Sequence, residues 1–266
     1  MSILCHVTPP RRLLPLLVLA AFLAVAVPAA FADGDPASDV LLFDDVFLPV
    51  GAPQEAPFTT LVSTVKDANE QGFRMKLAVI QSEKDLGSVP SLFGKPQDYA
   101  HFLGSEIKFK YAGPLVVVMP GGFGFWNNGK PTKDADAVLA SIGRGSSGEE
   151  LANAGIKAVA ALLGTGRPPS AQALRGKARA GTVAQLLYRT GPSKHPVVVG
   201  VTVERGKKVL KRATQRIGAS ARGGAHVLAW KIPAHTSGTL TFCVTPETAV
   251  GWTGKTSCAP LTVRGA

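Results

Sequence analysis

Acid is nearly missing from the last hundred residues of this chain: residues 166–266 carry 2 Asp and Glu against 16 Lys and Arg, a net of +14. So few carboxylates leave that half without counter-charge, and the excess of one sign makes it a surface that gathers anions. Residues 33–165 lean the other way, with 16 Asp and Glu against 11 Lys and Arg. Cysteine is equally scarce, three in 266 residues, and four of the five histidines (His101, His195, His226, His235) are scattered without ligand spacing. This pattern argues against metal chemistry on His and Cys.

Several catalytic signatures are absent too. Gly254-Lys255-Thr256 ends like a phosphate-binding loop, but Ala249 stands where its first glycine is required. Gly145 precedes Ser147, but Glu149 occupies the last glycine place of a nucleophile elbow. Gly143-Arg144-Gly145-Ser146-Ser147-Gly148 fits G-x-G-x-x-G, yet a helical stripe precedes it and no acid follows at the required distance. It reads as a turn between two helices.

What the chain does carry begins at its amino end. Arg11-Arg12 lead into residues 13–32, twenty residues without a charge, closing on Ala30-Phe31-Ala32. A positive start, an apolar run and a small-residue site predict a signal peptide over residues 1–32, with an N-terminal membrane anchor as the alternative. Cys5 lies ahead of the apolar run and leaves with it. Cys243 and Cys258 remain, an even pair that reads as one disulfide in an oxidising compartment. Export to the cell envelope or beyond is the expected location.

Residues 33–164 alternate between strand and helix. Val40-Leu41-Leu42-Phe43 is a short apolar run between acids, expected as a strand. Phe58, Leu61, Val62, Val65 and Ala68 keep the spacing of a helical stripe. Residues 76–80 are strand-like, and Tyr99, Phe102, Leu103 and Ile107 form a second stripe behind Asp98, expected as its cap. Residues 115–119 are the strongest strand, turned by Pro120-Gly121-Gly122 into a hairpin. Two helices follow, on Ala135, Val138, Leu139, Ile142 and on Leu151, Ala154, Ala158, Leu162, Leu163, the second entered through a Ser147/Glu150 capping box. This order predicts an α/β sandwich.

On the acidic pair Asp44-Asp45, the segment Asp98-Tyr99-Ala100 and the apolar strand with its hairpin, residues 39–163 resemble the TPM domain of exported bacterial and some thylakoid proteins. Some members of that family resemble acid phosphatases and some bind calcium. Here the second hairpin strand, Gly122-Phe123-Gly124-Phe125-Trp126, has no acid where members often carry one.

Residues 165–182, rich in Gly, Pro and basic side chains, read as a linker. From residue 183 to residue 266 the pattern changes to short alternating runs. Val197, Val199, Val201 and Val203 share one face, as do Leu228, Trp230 and Ile232, then Leu240, Phe242 and Val244, then Ala259, Leu261 and Val263. That is the pattern of a β-sandwich. Both cysteines fall on the opposite face of their strands, so a disulfide there closes a loop of about 15 residues and contributes on the order of 3 kcal/mol. This half is similar to the immunoglobulin-like and fibronectin-like modules of secreted bacterial proteins, on Trp230 and the segments around the two cysteines.

Two candidate sites follow. In open α/β sheets ligands sit beyond the carboxyl ends of the strands, where Asp44, Asp45, Glu83 and Asp85, with Ser82, Asn127 and Asn128, could converge on a hard cation such as Ca²⁺; exposed turn residues and helix caps give the same pattern, and that is the favoured reading. Arg205, Lys207, Lys208, Lys211, Arg212 and Arg216 put six positive charges into twelve residues. They suit either a solvated edge hairpin that its lysines guard against pairing or an anionic wall polymer or membrane surface; without interleaved aromatics they do not suit specific nucleic-acid recognition. The sequence therefore reads as an exported two-domain protein without catalysis, binding a ligand or partner through its α/β half. The alternative is a TPM-like phosphatase with a divalent cation on Asp44, Asp45 and Asp85.

Overall fold

Leu115–Met119 is buried at every position, as the unbroken apolar run requires of a strand covered on both faces. It is β3 of a four-stranded sheet in the order β1-β2-β3-β4, with β1 Val46–Phe47, β2 Lys76–Val79 and β4 Gly122–Trp126. β1, β2 and β3 run parallel, and β4 returns antiparallel through the two-residue Pro120-Gly121 turn. The computed structural model describes residues 34–265; the signal-peptide expectation and Cys5 lie outside them.

Alternate side chains of the sheet feed two cores. Leu77, Val79, Val116, Val118 and Phe125 face α2 (Phe58–Glu70), α4 (Lys133–Ala140) and α5 (Gly148–Gly164). Ala78, Ile80, Leu115, Val117 and Trp126 face α1 (Pro36–Leu41) and α3 (Pro96–Ile107). The crossovers β1–α2–β2 and β2–α3–β3 advance in the same direction across the sheet but lie on opposite faces. They therefore have opposite hands, and one departs from the right-handed rule.

Three expectations are corrected here. The run at residues 40–43 is not a strand. Asp35 caps a helix there, its carboxylate accepting from the Ser38 amide at 3.0 Å, and Pro36 sits at the first helical position. The strand follows, reduced to two residues. Asp98 does not cap its helix, which starts at Pro96, so Asp98 lies in the first turn. Residues 165–182 are not a linker: they contain β5 (Ala171–Ala173) and β6 (Gly176–Arg179).

Those two short strands join opposite sheets of the second half. β5 pairs with β7 (Val183–Thr190), which pairs with β10 (Gly224–Lys231). β6 runs parallel to β12 (Ser257–Arg264) in a five-stranded sheet β6-β12-β11-β8-β9, with β8 Val197–Arg205, β9 Lys208–Ile217 and β11 Gly238–Thr248. The alternating apolar residues meet between the sheets, giving a β-sandwich whose strand pairing follows the immunoglobulin-like order. Cys243 stands directly opposite Cys258 on β11 and β12, and the two form a disulfide.

Residues from Asp35 onward make one compact unit. The loop between β11 and β12 leaves the sandwich and puts Val250 and Trp252 into the α/β core, where Trp252 tilts against Phe73 at 5.3 Å between ring centroids. The backbone there turns at Gly251 with φ +90°; a Cβ at that position would stand 2.6 Å from Asn127 Nδ2 and 2.8 Å from Pro114 Cγ.

Candidate functional site

The four acids expected to share a cation are not brought together. Asp44 and Asp45 stand at the amino end of the sheet, before β1, whereas Glu83 and Asp85 follow β2 at its carboxyl end. Each has local work instead. Asp45 accepts from Lys76 Nζ at 3.1 Å and from the Asn69 amide at 2.7 Å, and Lys76 Nζ also donates to the Asp44 carbonyl at 2.6 Å. These bonds let the Lys76 side chain lie buried with its charge neutralised. Asp85 is buried and accepts from the Val50, Gln81 and Ser82 amides at 2.8–2.9 Å, tying together the loops that leave β1 and β2. Glu83 points into solvent. Among the described residues no group of three or more His, Cys, Asp or Glu side chains is arranged to hold a metal ion. With a helix over Pro36–Leu41 and a turn at Leu42-Phe43, Asp44-Asp45 precedes the first strand rather than ending it.

The glycine-rich turn before α5 is likewise occupied by the chain itself. Glu150 accepts from the Ser146 and Ser147 amides at 2.8 and 3.1 Å, and these hydrogen bonds lower its pKa to about 2. The amides a phosphate would use are thus taken by a carboxylate. Arg144 borders a shallow cleft with Gln97, Gly122, Phe123 and Asp136. Gln97 is committed to the backbone of β4: its amide donates to the Phe125 carbonyl and its oxygen accepts the Phe125 N–H, both at 2.9 Å. That caps the outer edge of β4 at Phe125.

A polar cleft of the α/β half, about 470 Å³, holds Lys66, Arg74, Lys76 and Lys110 around Asp45, Glu70 and Tyr111. It sits where α2 and α3 end, so its cations answer the negative ends of two helices. Tyr111 donates to the Pro114 carbonyl at 2.7 Å, and burial pushes its hydroxyl well above the usual tyrosine range.

A second cleft, about 370 Å³, opens between the α/β half and the sandwich. Two ion pairs cross there: Lys130 to Glu247 at 2.6 Å and Arg216 to Asp134 at 3.2 Å. The buried Asn127 adds a 3.3 Å amide bond to Glu247. Because its charges are matched internally, this groove can hydrogen-bond a ligand but offers it no net charge. Sequence spacing gave no sign of these partners, which lie more than 80 residues apart.

The basic segment at residues 205–216 separates into three places. Arg216 is committed to Asp134 across the junction. Arg212 projects from the outer face of β9, and Lys211 lies half-buried on its inner side. Arg205, Lys207 and Lys208 form the exposed β8–β9 turn, with Arg205 donating to the Ser237 carbonyl at 2.8 Å.

No family model matches the chain, and no curated protein matches it. Solved structures similar to part of it include several β-domains. The CARDB domain of a Pyrococcus furiosus protein is 13% identical, covering 38% of this chain and 99% of that one, with a TM-score of 0.27. Fibronectin(III)-like modules of CbhA from Clostridium thermocellum are 13% identical over 36% and 99%, at 0.26. A PKD domain of an M14-like peptidase from a Thermoplasmatales archaeon is 14% identical over 36% and 93%, at 0.27. The β-sandwich assigned above rests on this chain's own strand pairing and core.

Proposed function

We propose that the protein is an exported, non-catalytic binding protein of the cell envelope, whose sandwich is drawn to anionic surface polymer while its α/β half engages a ligand or partner. The observation carrying this reading is the charge of residues 166–266, 16 basic against 2 acidic side chains. Among the described residues, Arg216 alone of the six basic residues at positions 205–216 is held in an ion pair. The disulfide supports an oxidising compartment. Among the described residues no helix is long and apolar enough to cross a membrane.

The TPM resemblance of residues 39–163 is retained within this reading, supported by helices on both faces of a sheet that ends in an antiparallel hairpin strand. The cation-dependent phosphatase loses its motivation, since Asp44 and Asp45 are far from Asp85 and serve Lys76 and Asn69. The test is retention of the full chain on anionic wall material over a salt series. Binding that weakens steeply with salt is expected; no retention at low salt overturns the reading.

A further inference from the structure

Strand directions fix which loops share an end of the sandwich. β8 and β12 run away from the α/β half, and β9 and β11 run back toward it. The end touching the α/β half carries Arg216, Glu247 and the 249–252 loop. The opposite pole is made by the β6–β7 turn, the β8–β9 turn, the β10–β11 loop and the end of β12. Backbone bonds lock these together: Ala180 N–H to the Arg264 carbonyl at 2.9 Å, Thr182 N–H to the Arg179 carbonyl at 3.2 Å and Ile232 N–H to the Thr182 carbonyl at 2.9 Å. Arg205 bonds Ser237 from the remaining turn.

This pole gathers Arg179, Arg205, Lys207, Lys208, Lys231 and Arg264, all exposed, from positions spread over 85 residues of chain. Arg179 and Arg264 stand opposite each other on neighbouring strands, a pairing of like charges that weakens the sheet unless something answers it. Glu204 is the one acid near them among the described residues.

We infer that this distal pole, rather than the basic face as a whole, is the docking surface for an extended polyanion bearing repeated phosphate groups. The inference rests on the proposed function and locates its partner. Cations spread over three turns, a strand end and both sheets suit a long polymer better than one small anion, which needs donors converging on a point. The three loops contain no Phe, Tyr or Trp, His235 is their one ring, Ile232 is buried, and Val183 is the one exposed large apolar side chain beside them. The pole therefore lacks the cluster of large rings and apolar side chains that inserts into lipid or stacks on successive bases. Held this way, the protein turns its α/β half, on the far side of the sandwich, away from the polymer.

The experiment uses the full chain, long-chain polyphosphate and a salt series. Six contacts predict a slope of log affinity against log salt of about −4, taking ~0.7 per contact as for single-stranded polyanions. Neutralising three pole residues (Arg179→Gln, Lys207→Gln, Lys208→Gln) should lower the slope to about −2 and affinity at low salt at least tenfold. A control with equal charge change at the opposite end of the sandwich (Arg189→Gln, Lys194→Gln, Arg222→Gln) should stay within about twofold. Equal losses in the two triples would overturn the pole while leaving anionic-polymer binding intact. Tighter binding to anionic lipid vesicles than to polyphosphate would overturn the choice of partner. No binding of the unaltered chain to polyphosphate or to wall material would overturn both readings.

Discussion

The α/β half closes around large side chains, Phe73, Tyr99, Phe125 and Trp126 among them, while the sandwich interior is chiefly valine and alanine with Tyr188, Phe242 and Trp230. The sandwich also places its second buried tryptophan, Trp252, outside its own core and inside its neighbour's. Apolar area is the main stabilising term, so the half with the smaller side chains depends more on its staples. It has two: the disulfide across β11 and β12, and the β11–β12 loop anchored in the α/β core. The acidic half stands on packing, the basic half on packing plus ties.

The sharpest way to break that contrast is Trp252→Ala. Removing a buried tryptophan costs about 3–5 kcal/mol, and this one also holds Arg167 over its ring at 5.7 Å. Denaturant unfolding should show a lower midpoint and divide into two transitions, the sandwich melting first. A loss below about 1 kcal/mol with a single transition would show that the halves are not joined here. Next comes the paired change Cys243→Ser with Cys258→Ser, which opens a loop of 15 residues. It should cost about 3 kcal/mol, read as lost hydrogen-exchange protection in β11, β12 and β8 while β2 and β3 keep theirs. Equal loss of protection in both halves would contradict the contrast.

Within the α/β half the ties are polar and small. Asp85→Asn leaves one oxygen and no charge to satisfy three part-buried amides, so it should cost about 2 kcal/mol. The effect should appear as faster exchange at Val50, Gln81 and Ser82. If Asp85 instead held a cation, the loss would depend on added Ca²⁺.

Much of the packing was legible because alternation and helical stripes report burial directly. Val197 to Val203 and Leu240 to Val244 turn their apolar sets inward as their parity requires, and the same parity put Cys243 and Cys258 on one outer face. The Ser147/Glu150 cap was legible for the same local reason. Residues 40–43 misled because four apolar residues fit a buried strand or a helix turn equally well; Asp35 and Pro36, just upstream, decide for helix. That one boundary moved Asp44 and Asp45 to the wrong end of the sheet and created a cation site that the fold does not build. β5 and β6 were hidden because edge strands of three and four residues need no long alternating run. The polar junction and the basic pole depend on which loops share an end of the sandwich, and only strand order carries that information.

The smallest expected effect sets one carboxylate against another inside the α/β half. Asp35 is buried, and burial raises its pKa against the opposing pull of the Tyr99 hydroxyl, which donates to it at 2.6 Å. The folded protein therefore keeps that proton longer than the unfolded chain. The stability it brings is full below the unfolded value near 3.8 and is lost as pH rises through the folded value. Glu150 behaves oppositely: its pKa is lowered to about 2, so its contribution is present above the unfolded value near 4.5 and fades as pH falls toward 2. Asp35→Asn retains a helix-capping side chain and should flatten the fall in stability above pH ~4. Glu150→Gln should flatten the loss on the acid side. Unfolding midpoints measured between about pH 2 and pH 7 decide it: if both substitutions change the same limb of the profile, the buried and the exposed carboxylate do not act through the separate environments assigned to them.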